Sequence, residues 1–409
     1  MFGPRVGLAY RANEKTVVRL GYGITNDPYP LSRPIRSPYP AVIVADYQSA
    51  NSFVAAGSLA TGIPAFAFPD LSSGTIDIPN PVATNSLQPG KFRRGYIESY
   101  NFMIQRDLGK GFVLQTGYVG THSVRQAVTY YEINPGLIPG AGANGRPLFV
   151  RYGVNTNRSM FIPMANQRYD AWQNNMTRRL ARGLFVTSSY TWSKAIGITA
   201  GNSDSGLRFY VPSQFSKNKS VSDFDRTQSW VSAANWELPF GRNKRFATSG
   251  IPALLAGGWQ LNPTIALYTG RPFIVGTDGS SLNAPGNTQV ADQINANVTK
   301  FGGVGVGAPF YDPTAFAPVR DVRFGNMGLN ALRGPRLFNT NLGVFRKFPI
   351  RERGELQFRA EALNFTNTPA LNQPNASVST PSSFMTITST NNNTTSPQRT
   401  IRFGLRLSF

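Results

Sequence analysis

His122 is the single histidine in 409 residues, and cysteine is absent. Nucleophilic or metal-centred catalysis needs a histidine with partners, or a thiolate. The stretch "VGTHSVRQ" supplies neither, so His122 reads as a polar residue at the outer end of a strand. Asp223 and Asp225 stand two apart in "SDFDRT". That spacing could touch Ca²⁺, but the rest of an EF-hand loop is missing, and a loop-to-strand cap suits it better. "FGGVGVGAP" at 301–309 is glycine-rich without the GK[ST] ending that cradles phosphate, and reads as a flexible external loop. No catalytic, metal or cofactor constellation is expected, and the chain does not read as an enzyme.

The chemistry that remains is charge in alternation. The final stretch "RTIRFGLRLSF" sets Ile401, Phe403, Leu405, Leu407 and Phe409 against Thr400, Arg402, Gly404, Arg406 and Ser408. Side chains alternate across a strand, so one face is apolar and the other polar. About eleven such segments recur, at 4–11, 16–24, 96–106, 112–119, 168–180, 184–193, 226–238, 258–269, 336–348, 354–365 and 400–409. Pro263 falls inside one of them and predicts a bulge or bend. Many run 9–13 residues. Soluble strands average about five or six, whereas a tilted strand crossing a bilayer needs about 9–11.

Connections alternate between short and long. The short ones lie at 12–15, 107–111, 181–183 and 349–353, with a medium one at 239–257. The long ones span 25–91, 120–167, 194–225, 270–335 and 366–399. Irregular loops of that length are uncommon in soluble domains, but short periplasmic turns and long external loops are the habit of outer-membrane barrels. The predicted fold is therefore all-β, an antiparallel transmembrane β-barrel. Arg5, Arg19, Arg359, Glu361, Arg402 and Arg406 would face the lumen as a charge network, structural or ligand-facing. Trp192, Trp230, Trp236 and Trp259 sit near strand ends, where interfacial girdles belong.

Net charge is +21, but no run of five or six basic residues and no nucleic-acid module is present, so nucleic acid is not an expected partner. No run of 18 apolar residues exists, which excludes a transmembrane helix. "MFGPRVGLAYRANEK" does not read as a signal peptide.

The stretches "FGPRVGLAYRANEKTVVRLGYGI", "YNFMIQRDLGKGFVLQTGYVGTHS", "DFDRTQSWVSAANWELPFGR", "GGWQLNPTIALYTGRPF" and "LRGPRLFNTNLGVFRKFPIRERGELQFRAEALNFTNTPALNQP" resemble the C-terminal β-barrel part of a TonB-dependent outer-membrane receptor, of the Oar-like type found in Acidobacteria and relatives. The resemblance implies a 22-stranded barrel, of which residues 1–409 would be a partial barrel domain, about half, without plug, TonB box or N-terminal domains. It implies a protein of the cell outer membrane that takes up a large or scarce solute. Its partners would be outer-membrane lipid, the TonB complex through the plug, and the solute, whose identity the sequence does not carry. Phe409 resembles the C-terminal aromatic signal read by the outer-membrane insertion machinery. Two other readings stay open: a passive porin closed by this chain alone, and a soluble β-rich adhesin or lectin module with its tryptophans in a core.

Overall fold

The structure, a computed structural model, describes residues 2–27, 84–199, 206–350, 354–391 and 398–409, with scattered positions between 55 and 74. Most of the predicted loop 25–91 lies outside the described residues. The strands, in chain order, are β1 (Arg5–Asn13), β2 (Thr16–Asn26), β3 (Thr84–Leu87), β4 (Tyr96–Gly109), β5 (Phe112–Glu132), β6 (Arg158–Ala181), β7 (Leu184–Gly197), β8 (Ser220–Val221), β9 (Gln228–Glu237), β10 (Trp259–Tyr268), β11 (Pro272–Phe273), β12 (Asp292–Gln293), β13 (Phe316–Ala317), β14 (Leu332–Arg333), β15 (Leu337–Ile350), β16 (Gly354–Leu363) and β17 (Thr400–Ser408).

One sheet runs β1-β2-β4-β5-β6-β7-β9-β10-β15-β16-β17, and the short β3 and β8 attach to β6 and β7 to make thirteen strands. Each of the eleven predicted segments corresponds to one strand of that path. Every neighbour along the path is antiparallel. Among the described residues the sheet is not closed, and β1 and β17 are its free edges.

Register keeps the two faces distinct from strand to strand. Leu8, Leu20, Phe102, Tyr118, Trp172 and Trp192 form one directly paired row. Arg5, Gly23, Ser99, Thr121, Tyr169 and Ala195 form a row on the opposite face. Directly opposed residues share a face, so a one-residue slip anywhere would mix the two. Among the described residues no layer covers the apolar face: Leu405 is 72% exposed, Trp192 60% and Tyr190 37%. Ile265 is partly exposed. A soluble module would seal these residues between layers, and its reading fails here.

Three sequence expectations are corrected. β5 and β6 run 21 and 24 residues, well beyond 112–119 and 168–180. Their extensions carry register shifts between Ser123 and Gln126, Gln126 and Ala127, and Val128 and Tyr131, which erase the period of two that marks a strand. Pro263 makes no bulge. It pairs with Leu342 in an unbroken register to β15, while on the β9 side Asn262 and Pro263 drop out of the pairing without shifting it.

The third correction concerns the loops. Segments 270–335 and 366–399 are not irregular excursions: their described residues fold together into a packed cap at the long-loop end. Val275, Val290, Ala291, Ala315 and Met385 are fully buried there, with Met327 and Ile387 nearly so. Two small pairings, β11 with β14 and β12 with β13, frame this core. The glycine-rich 301–309 is held rather than loose: Phe301 and Gly302 donate to the Phe310 carbonyl and Gly305 to that of Ile387. Arg323 grips Asp292 with both terminal nitrogens, at 3.0 and 2.7 Å. That guanidinium holds the Asp292 carboxyl below its ordinary value of 3.8.

Ile387→Ala should cost the cap about 2–5 kcal/mol. Amides of 273–291 and 310–329 should then exchange faster while those of β15–β17 keep their rates. Equal exchange would show that the cap is not a packed unit. The Asp292 pair adds a pH dependence. A depressed folded pKa contributes stability above the unfolded value, and that contribution is lost as pH falls through the folded value. Protection of cap amides relative to their intrinsic exchange rates should therefore fall in the wild type below the ordinary aspartate range, and Asp292→Asn should flatten the dependence.

Candidate functional site

The long-loop end of the sheet holds two cavities that share Asn330 in their walls. The larger, about 1020 Å³, is lined by Trp172, Trp192, Lys194, Lys217 and Lys219 among others. The smaller, about 680 Å³, is lined by Arg226, Arg271, Arg336, Asp223, Asn372 and Gln373 among others. Both are within the size range of small-molecule sites.

Strand ends place the arginines. Arg226 lies two residues before β9, Arg271 lies between β10 and β11, and Arg336 immediately precedes β15. Arg333, on β14, pairs with Pro272 on β11. The two chain segments touch at Gly270, where an added Cβ would stand 1.9 Å from the Gly334 carbonyl oxygen. Only glycine allows that approach. "TGRP" at 269–272 and "RGPR" at 333–336 are thus the sequence trace of the site, each joining Gly, Pro and Arg. Sequence reasoning used them only for resemblance.

Asp225 anchors the arrangement. Its side chain is 1% exposed and meets the Arg333 guanidinium at 2.5 Å. Its other oxygen accepts the Ala195 N–H at 2.7 Å. The carboxylate therefore ties the 198–227 segment both to β7 and to the cap. Asp223 accepts from Asn330 Nδ2 at 2.7 Å. The pair Asp223 and Asp225 is a structural clasp rather than a cation loop, and no group of three metal-capable side chains occurs among the described residues. Arg226 is fixed by donation to the Thr269 carbonyl and by the Tyr268 ring, 5.7 Å from its guanidinium carbon. Burial, and then the nearby charges of Arg271 and Arg333, lower Arg226 from its ordinary value.

His122 lies inside β5 rather than at its end, opposite Glu98 on β4, with Nδ1 3.2 Å from Glu98 Oε2. It belongs to a polar collar on the outward face, where Arg168 and Asp170 pair at 2.7 Å.

The predicted lumen charges all lie on the polar face by register, but at opposite edges of the sheet. Arg5 and Arg19 are on β1 and β2; Arg359, Glu361, Arg402 and Arg406 are on β16 and β17. Arg19 donates to Gln105 at 2.5 Å. Arg359 donates twice to Gln357 and lies over the Phe345 ring. Glu361 stands opposite Arg402 in the ladder. The tryptophans occupy two levels. Trp192 and Trp230 lie toward the long-loop end, Trp236 and Trp259 toward the short turns. Six residues separate Trp230 from Trp236 on β9, roughly 20 Å of extended chain. Phe409 follows β17 and is 97% exposed.

Asp225→Ala would leave Arg333 unpaired and the Ala195 N–H unmet, a loss of about 3 kcal/mol. The expected result is new protease cleavage within 206–227 with the sheet intact. Unchanged digestion would remove Asp225 as the anchor.

A family model described as "Outer membrane beta barrel domain" matches residues 1–402. A search of curated proteins found no match. Among solved structures, the chain is similar to BauA, the ferric preacinetobactin receptor from Acinetobacter baumannii, at 11% identity and a TM-score of 0.42, covering 100% of this chain and 36% of that one. It is similar to the outer membrane transporter YddB from Escherichia coli at 10% identity and a TM-score of 0.46, covering 99% and 40%. For the ferripyoverdine receptor of the outer membrane of Pseudomonas aeruginosa the figures are 8%, 0.43, 99% and 32%. The chain spans well under half the length of each of these proteins. With residues 1–402 matched, the chain belongs to the outer-membrane β-barrel domain family, and its place is the outer membrane.

Proposed function

We propose that this chain forms the C-terminal half of a roughly 22-stranded TonB-dependent receptor barrel, which captures a solute outside the cell and passes it inward. The observation that carries the reading is strand parity. Eleven successive antiparallel strands leave β1 and β17 pointing the same way. Closure of this sheet on itself would pair them in parallel, whereas single-chain bacterial outer-membrane barrels have an even, antiparallel count. Every residue of β1 is exposed, as are all but the first of β17. Unpaired backbone groups do not persist against lipid, so both edges call for further strands.

In this reading the short turns face the periplasm and the cap faces outward. The two tryptophan levels sit at the membrane interfaces, and Phe409 is read by the insertion machinery. The polar-face charges Arg5, Arg19, Arg359, Glu361, Arg402 and Arg406 line the lumen, where a plug coupled to TonB would sit. Its Oar-like type is the finer form of the same proposal. The smaller cap cavity receives the solute. No covalent chemistry is involved.

No cysteine lies within these 409 residues, so a disulfide between two introduced here is assigned by peptide mapping. Cysteines introduced at Leu8 and Leu405 in the outer-membrane protein should form no disulfide with each other on oxidation. Any growth benefit the gene confers in nutrient-poor medium should vanish when TonB is deleted. A Leu8–Leu405 crosslink, with steady conductance in a planar bilayer, would instead establish a passive porin closed by this chain alone.

A further inference from the structure

The smaller cavity has an electrostatic imbalance that its role as a loop junction does not account for. Its wall carries Arg226, Arg271 and Arg336 against the single carboxylate of Asp223. Asp223 is engaged by the Asn330 amide. Arg333, next in sequence to the wall residue Gly334, is matched by Asp225. Among the described residues, no carboxylate forms an ion pair with Arg226, Arg271 or Arg336. The wall amides are spent on the fold: Gln373 donates to the Pro272 carbonyl at 3.0 Å, and Asn372 to Ser389 Oγ at 2.8 Å. What faces the recess unmatched is guanidinium.

Three like charges around a half-buried space repel one another and lose part of their hydration. Arg226 registers both effects, through burial and through Arg271 and Arg333. An anion in the recess replaces the repulsion with attraction and compensates the lost hydration. Guanidinium forks match carboxylate and phosphate oxygens in a bidentate geometry, and such charge-assisted bonds are stronger than neutral ones. The three arginines come from three strand ends, before β9, after β10 and before β15, and they surround about 680 Å³. That volume exceeds what a single small oxyanion fills. It suits a molecule presenting several oxyanion groups to separate arginines.

We infer that this recess binds a small polyanion bearing several carboxylate or phosphate groups. The inference rests on the uptake reading only in treating that polyanion as the transported solute; binding itself stands without it. Arg226 holds its place through the Thr269 carbonyl and Tyr268, and so positions one fork. Arg271 and Arg336 are more exposed and supply the adjustable forks.

The test uses the full-length protein in outer-membrane vesicles with two probes, tricarballylate for carboxylates and pyrophosphate for phosphates. Phenylglyoxal modification is followed residue by residue by mass spectrometry. At least one probe should slow modification of Arg271 and Arg336 about tenfold, the scale of a charge-assisted hydrogen bond, while Arg182 in a short turn keeps its rate. The probe that protects identifies the oxyanion. In calorimetry, the R271Q/R336Q variant should bind that probe about 100-fold more weakly. Unprotected Arg271 and Arg336 with both probes would overturn the inference, and so would equal affinity in the variant. The labelling arm uses wild-type protein and so does not depend on the variant folding. Protection without TonB-dependent growth would retain the anion site and remove the transport reading; the converse result would do the opposite.

Discussion

A backbone N–H or C=O facing hydrocarbon has no water to turn to, and this constraint shapes everything else in the chain. It requires each wall strand to be hydrogen-bonded on both sides, and the nine interior strands of the path meet that condition. It also makes the two unpaired edges the most informative feature of the fold. An odd antiparallel sheet cannot close on itself without a parallel seam between its two edge strands. The same constraint keeps the two faces separate. With hydrogen bonds fixing register, most apolar side chains fall on one side, rimmed by polar groups such as His122 and Asp170, and most small or polar ones fall on the other.

The cap obeys a different rule. Away from lipid, long connections can satisfy their backbone in water or by folding. Here segments 270–335 and 366–399 do the latter around Val275, Val290, Met385 and Ile387. The two segments are hydrogen-bonded to each other, Gly276 to the Ala376 carbonyl and Phe310 to that of Met385. Packing of this kind gives the arginines fixed positions. Asp225 and the Gly270–Gly334 approach join cap to sheet where Arg226, Arg271 and Arg336 converge. Rigidity in the cap and charge in the recess are one arrangement.

The sheet was legible in the sequence and the cap was not, for a physical reason. Strands such as β2, β7 and β17 alternate cleanly because one face must be apolar over its whole length. Leu405 and Arg406 declare opposite environments simply by adjacency. The cap's core residues carry no period. Phe384, Met385 and Ile387 sit in a Ser- and Thr-rich stretch, and Val290 and Ala291 follow Gly-Asn-Thr-Gln. Each is buried by a loop distant in sequence, so no local window reveals it. The bulged extensions of β5 and β6 were hidden the same way, by irregular register. Asp223 and Asp225 were singled out correctly as special, but their chemistry was read locally as a cation loop or cap. Their partners, Asn330 and Arg333, lie more than 100 residues away.

The account stands on the environment of the apolar face, and spin labels on single cysteines read that environment directly. Labels placed in turn at residues 402 to 407 of the outer-membrane protein should alternate. At 403, 405 and 407 they should collide with oxygen dissolved in lipid; at 402, 404 and 406 they should collide with a water-soluble nickel chelate. Contradiction would come from no alternation, or from positions 403, 405 and 407 shielded from both reagents as in a protein core.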